Sequence, residues 1–432
     1  MTATADPTAR YAARFTARFP GRLAQVRELA LARFQERGFP STDDEEWRFT
    51  PLGALRDTEF TGSADAPVAE ADLARWTFGD AFDTRVVVVN GRYAAATSRV
   101  GALPAGVRVE SLAGALATGG PAAEHIATVA RFENRPLTAL NTALFEDGVF
   151  IVVPRNAVVE DTIHIVHVAS APGDPVAAHP RTLIVAGESS QVRVVESYVG
   201  AGRETYFSNP VTEVVVAPGA LVEHCRVQRD SESAFHIGDL SVKIGRDATF
   251  TSHSVTLGGA IARCDVNAVL HGEGVACTLN GLYIGDGTRL VDNHTEIDHA
   301  QPHCESHELY KGILSGQSRG VFNGKIMVRP DAQKTDAKQT NRALLLSDQA
   351  QINTKPQLEI FADDVRCTHG ATVGQLDEDA LFYLRSRGID REAARALLVY
   401  AFAGDIVERI PIEPLREELR ALLLARLPVG SR

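Results

Sequence analysis

The sequence predicts a mainly β chain: a β-solenoid core with α-helical segments at both ends. Three observations carry this. Short alternating apolar runs, separated by Gly or Asp turns and uninterrupted by helical periodicity, fill residues 150–373. Several of these runs begin alike, with an apolar residue, a Gly turn and a small residue, near Gly187, Gly219, Gly245, Gly272 and Gly316. Helical spacing is concentrated before and after this region. The resulting organisation is an N-terminal helical domain over 1–76, a β core over 77–375 and a C-terminal helical domain over 376–432.

In the N-terminal zone, Gly21 to Arg37 places Leu23, Val26, Ala30 and Phe34 on one helix face. Gly38 supplies the stop and Pro40 forbids continuation. Glu45 to Leu52 forms an aromatic patch around Trp47 and Phe49 that is expected to pack on the main body. The β region opens with Val86 to Val89, followed by the turn dipeptide Asn90-Gly91. Its predicted strands include Thr162–Val168, Gln191–Val199, Leu221–Val227, Thr249–Leu257 and Gly320–Val328. The recurring Gly starts suggest a period in roughly the high twenties, as expected if each coil is the hydrophobic partner of the next. The longer interval from Gly272 to Gly316 reads as concealing a turn at Gly285–Gly287. A β-sandwich is the competing fold, but about 220 residues of short strands without a clear hairpin series fit it poorly.

The C-terminal zone reads as three helices. Asp377 caps Glu378–Arg387, and Asp390 caps a second helix from Arg391 to about Ile410. The second helix has an apolar face of Ala394, Leu397, Leu398, Ala401, Phe402 and Ile406. Pro414 starts a third helix, Leu415 to Leu427. These helices carry more apolar surface than they can bury among themselves, so it packs either on the solenoid or on a partner.

Composition narrows the function. The net charge is −11 and there are no basic runs, which argues against nucleic acid or an anionic membrane as partner. No stretch approaches the ~20 apolar residues of a membrane helix. Met1 to Pro20 has Arg residues but no apolar signal core. The five cysteines, Cys225, Cys264, Cys277, Cys304 and Cys367, are widely spaced, which predicts free thiols in a reducing cytoplasm. GxxxxGK[ST], GxGxxG, HExxH and GxSxG are absent, so no familiar route to nucleotide or hydrolytic chemistry is visible.

Two constellations invite a metal reading. The first is Asp292 to His307, which holds His294, His299, His303 and His307. His, Cys and carboxylate are common ligands, and a metal-dependent enzyme using this cluster is the alternative function. Pro302 and the surrounding strands oppose a shared helix face, leaving a polar solenoid rung as the competing reading. The second is Cys367-Thr368-His369. Alternation puts both side chains on one strand face, with Cα atoms ~6.8 Å apart, within reach of one metal. Thiolate plus imidazole suits an iron–sulfur species or zinc. Two ligands are half a site, since such centres need about four. A buried Cys beside a hydrogen-bonded His is the simpler outcome of the spacing alone.

The flanking residues decide between these outcomes. Thr354 to Gly374, with Glu46-Trp47-Arg48-Phe49-Thr50-Pro51-Leu52, Val321-Phe322-Asn323-Gly324-Lys325 and Leu381 to Gly388, resembles the SufB/SufD family of iron–sulfur cluster assembly scaffolds, most closely its SufD branch. The resemblance covers nearly the whole chain. It implies a right-handed parallel β-helix and a non-catalytic scaffold. It implies pairing with a SufB-like paralogue through the β-helices, and docking of a SufC-like ATPase on the helices between Asp377 and Ile410. A homodimer in isolation is also expected from an exposed strand edge. The resemblance further implies that Cys367 and His369 face the paralogue where a cluster or iron is held transiently, with nothing stably bound to the isolated chain. The chain departs from SufB at Asn341-Arg342-Ala343, where SufB carries a cysteine motif, and at His369-Gly370, where SufB is acidic. His299 and Cys304 match family positions and are read as structural. A carbohydrate-binding or lyase solenoid is disfavoured by the absent signal segment and the 6% aromatic content.

Overall fold

The computed structural model describes residues 7–16, 19–62, 66, 68 and 70–426. Leu427, the expected end of the last helix, lies outside the described residues, as do residues 1–6 and 17–18 of the N-terminal zone. The chain coils, laying alternate strands into two sheets. One sheet runs, in spatial order, Arg92–Tyr93, Thr84–Val89, Ile163–Ala169, Gln191–Gly200, Leu221–Arg229, Thr249–Thr256, Ala276–Gly285, Glu305–Leu314, Asp336–Leu345 and Arg366–Gly374. The other runs from Gln351–Ile360 through Arg319–Val328, Leu290–His299, Ile261–Leu270, Phe235–Ile244, Val211–Val216, Arg181–Ala186 and Gly148–Val153 to Arg108–Ser111. Neighbours pair in parallel except at the two ends near the start, where Arg92–Tyr93 and Arg108–Ser111 pair antiparallel. The core is therefore the expected β-solenoid, and the predicted strands fall within a residue or two of their observed bounds.

Alternation sorts the side chains. Inward positions such as Val86, Ile165, Val194, Val222, Phe250 and Leu279 meet Ile151, Ile184, Val214, Val242, Ile297 and Phe322 from the facing sheet in one continuous core. Each such side chain contributes about 1.5–3 kcal/mol relative to remaining exposed. Outward apolar positions are covered by helices. Ile237, Ile261 and Leu290 lie under Phe34, Trp47, Leu55 and Leu140. Val227, Val255, Leu282 and Ile313 lie under Val399, Ile406, Leu415 and Leu419.

The coils share a corner that explains the Gly starts. Asn156, Ser189, Gly219, Asp247, Gly274, His303 and Lys334 all take positive φ, between 52° and 70°. The N–H of each donates to a carbonyl of the next coil, as in Gly274 N–H to Pro302 O and His303 N–H to Gln333 O. Gly tolerates this conformation without cost, and Asn and Asp do so more readily than most residues. The long interval after Gly272 has a specific cause. Gly287 and Gly316 stack at the opposite corner, where Gln317 N–H donates to Gly287 O. The missing member of the first series is His303, which carries no glycine signal.

The helix Arg22–Arg37 forms as expected, with the Gly38 N–H bonded to Phe34 O. The patch around Trp47 does pack on the solenoid: Arg263 lies 3.7 Å over its ring, and Thr50 Oγ donates to the buried Asp292 at 2.5 Å. Three helices, Leu112–Thr118, Pro121–His125 and Pro136–Leu144, stand between the strands Arg108–Ser111 and Gly148–Val153. They are short, five to nine residues each, so they gave little period to read. Asp377 and Asp390 cap the helices Glu378–Ser386 and Arg391–Val407, and the third helix runs Glu413–Arg426. The second helix is turned relative to expectation. Val399, Ala403, Ile406 and Val407 face the solenoid, while Leu397 points outward at 48% exposure. Apolar residues occur on more than one of its sides, and packing rather than periodicity selects the buried one.

Candidate functional site

Both sheets end at the same place. Gln351–Ile360 and Arg366–Gly374 are the last strands of their sheets, each paired on one side only. Their outer edges present unpaired backbone groups, a template for another strand. Cys367 and His369 lie on Arg366–Gly374 and stand in register with Ala337 and Gln339 of the strand behind. The structure therefore puts both on one side of the final rung, as the alternation predicted. Cys367 is half-buried against Ile326, Val328, Ala337 and Ala362, whereas His369 is exposed.

The surroundings of Cys367 set the state of its sulfur. Burial pushes the thiol up; the Ala337 backbone N–H opposes this, and Asp336 adds to it. In the isolated chain the sulfur is therefore a thiol, and ligation requires an incoming cation to displace the proton. Among the described residues no three His, Cys, Asp or Glu side chains converge to hold a metal.

The second constellation is dispersed by the fold. His294 points outward between two carboxylates, with Nδ1 3.2 Å from Glu46 and Nε2 3.0 Å from Asp292. Burial and Arg263 lower its pKa, but Asp292 and Glu46 outweigh them and the net shift is upward. It thus clasps the N-terminal segment to the solenoid. His299 is fully buried and bonded through Nε2 to Ser306 Oγ at 2.9 Å, with its pKa lowered to about 4 by burial. His303 occupies the corner described above, and His307 is on the next strand. Cys304 donates its thiol hydrogen to Gly272 O at 3.2 Å. No common centre forms. A cleft of about 560 Å³ lies between this clasp and the segment 131–138, and neither Cys367 nor His369 lines it.

Two family descriptions cover the chain. The SufBD core domain of the SUF iron–sulfur cluster assembly system matches residues 167–402, and the SufBD N-terminal region matches 12–165. The chain belongs to the SufBD family. It is 33% identical over 412 residues to an iron–sulfur cluster assembly SufBD family protein of Synechocystis, spanning 94% of this chain and 91% of that one. It is 32% identical over 405 residues to the iron–sulfur cluster assembly protein SufD of Escherichia coli, spanning 93% and 92%. To the SufD of Bacillus subtilis it is 30% identical over 298 residues, spanning 68% and 67%.

In this SufBD chain, Asn341 stands inside the solenoid rather than in a reactive position. It accepts from the Tyr283 hydroxyl at 3.1 Å and donates to Thr354 Oγ at 3.1 Å. The C-terminal helices divide their apolar surface between the solenoid and solvent. The second and third cover the solenoid, fixed in part by Lys311, whose buried Nζ is 2.7 Å from Asp405 and donates to Phe402 O at 3.1 Å. The first buries only Leu381 and leaves Phe382 and Tyr383 at 73% and 58% exposure. Among the described residues no helix is long and apolar enough to cross a membrane.

Proposed function

We propose that this SufBD protein is a SufD-like, non-catalytic scaffold subunit acting in the cytoplasm with a SufB-like paralogue and a SufC-like ATPase. Cys367 and His369 supply two ligands to a nascent iron–sulfur cluster, or to iron being delivered, at the β-helix interface. The observation that carries the reading is their position on the last rung, where both sheets end with unpaired edges. A second solenoid docking edge to edge would complete the ligand set and order the exposed imidazole. The isolated chain then holds no cluster stably, and the same edges allow a homodimer. The aromatic pair Phe382 and Tyr383 supports docking of the ATPase on the helices between Asp377 and Ile410, since exposed aromatics on a capped helix suit a partner's pocket.

The test is co-expression of the tagged chain with the SufB-like and SufC-like proteins of its source, followed by size analysis and iron measurement. A stable three-component assembly that takes up iron is expected. An isolated chain that binds neither partner contradicts the proposal.

A further inference from the structure

Behind His369 lies a short polar column inside the solenoid. Leu279, Glu308, Gln339 and His369 are register partners on four successive strands, so their side chains share one side of the sheet. In the inner rungs that side is the solenoid interior, because Glu308 and Gln339 are 3% and 1% exposed. The polar run stops at Leu279, so it connects only outward. Gln339 Nε2 donates to Glu308 Oε2 at 2.9 Å. Space for this amide comes from Gly324 on the facing sheet, where a Cβ would sit 2.2 Å from Gln339 Nε2. The second oxygen of the amide, Gln339 Oε1, has no hydrogen-bond partner, and the Thr295 hydroxyl faces the Glu308 carboxyl. A buried oxygen left without a hydrogen bond is costly, so its retention calls for an explanation.

We propose that Glu308 is a positioning residue for His369, acting through the orientation of the Gln339 amide. An ionised Glu308 only accepts. It holds the Gln339 NH2 inward and leaves Oε1 as an acceptor for an imidazole N–H. A neutral Glu308 can instead donate to Gln339 Oε1, reversing the amide and presenting NH2 outward. A ligating histidine needs an acceptor for its second nitrogen, so the ionised state is the one that supports metal binding at His369. Burial pushes the Glu308 carboxyl up to about 7, against the hydrogen bonds of Thr295 and Gln339, so both states are populated near neutrality. The titratable groups that feel Glu308 are Cys277, one strand further in, and Tyr310 on its own strand; burial raises both. Thr295 and Gly324 face the column from the other sheet.

This inference rests on the ligand role of His369 proposed above. It is tested on the full chain with nitrogen-15-labelled histidine, the His369 signals being identified by their loss in His369→Asn. The His369 tautomer balance should shift around pH 7 in the native chain, and that shift should vanish in Glu308→Gln and in Gln339→Leu. A shift retained in both folded variants overturns the column. In the assembled complex, cluster loading of the native protein should rise through pH 7, and loading of Glu308→Gln should not. Loading that needs His369 but keeps its pH profile in Glu308→Gln overturns this inference alone. Loading indifferent to His369, with the tautomer shift still lost in Glu308→Gln, overturns the ligand role and leaves the column standing.

Discussion

Replacing Glu213 by Ala should release the helical segment that the β pattern did not announce. Glu213 and Arg181 are both fully buried and paired at 2.6 Å. The carboxylate also accepts the backbone N–H groups of Ala127, Thr128, Val129 and Ala130 at 2.7–3.0 Å. It thereby stitches the loop after Pro121–His125 to the solenoid wall. Removing it leaves a buried guanidinium without its counter-charge and four N–H groups without acceptors, which costs about 3–5 kcal/mol. At 1.4 kcal/mol per tenfold, amide exchange at residues 127–130 should accelerate at least ~100-fold if these groups open locally. The sign with pH follows from the shift. Burial raises the Glu213 carboxyl, but Arg181 and the backbone N–H groups outweigh it, so its folded pKa is below the ordinary value. Its contribution is therefore full above the unfolded carboxylate pKa and is lost as pH falls through the lower, folded value. Native and Glu213→Ala proteins should converge in stability on strong acidification. Native exchange rates at residues 127–130 in the variant would refute this reasoning.

Three further outcomes follow from the packing. Gly324→Ala drives a methyl into the Gln339 amide and should cost about 1–3 kcal/mol, read as a lower denaturation midpoint. Lys311→Met removes the ion pair to Asp405 and the bond to Phe402 O; limited proteolysis should then cut the C-terminal helices free of the solenoid sooner than in the native chain. Phe382→Ser removes an exposed ring, so it should leave the melting temperature within about 1 °C while abolishing capture of the SufC-like ATPase.

Much of the fold was legible because a solenoid writes its repeat into the sequence. Predicted strands such as Gln191–Val199 and Gly320–Val328 needed only alternation and a turn, and the helix caps Asp377 and Asp390 needed only their side-chain chemistry. The rest depended on packing. His303 takes a corner that Gly occupies elsewhere, because the hydrogen bond to the next coil fixes the conformation whatever the residue. Leu397 and Val399 are equally apolar, and only the solenoid surface decides which is covered. At the site, the alternation of Cys367 and His369 was readable. The Glu308–Gln339 column was not, because it is assembled from residues about thirty apart whose common side appears only once the parallel register is known.

The central claim is that the last rung supplies half of a shared cluster site. The direct measurement is reconstitution of the chain with the SufB-like and SufC-like proteins of its source in iron and sulfide, followed by visible charge-transfer absorption. Cys367→Ala and His369→Ala should each assemble normally and lose most of that absorption, with the double variant no worse than the more severe single one. Undiminished absorption in a correctly assembled double variant would contradict the account.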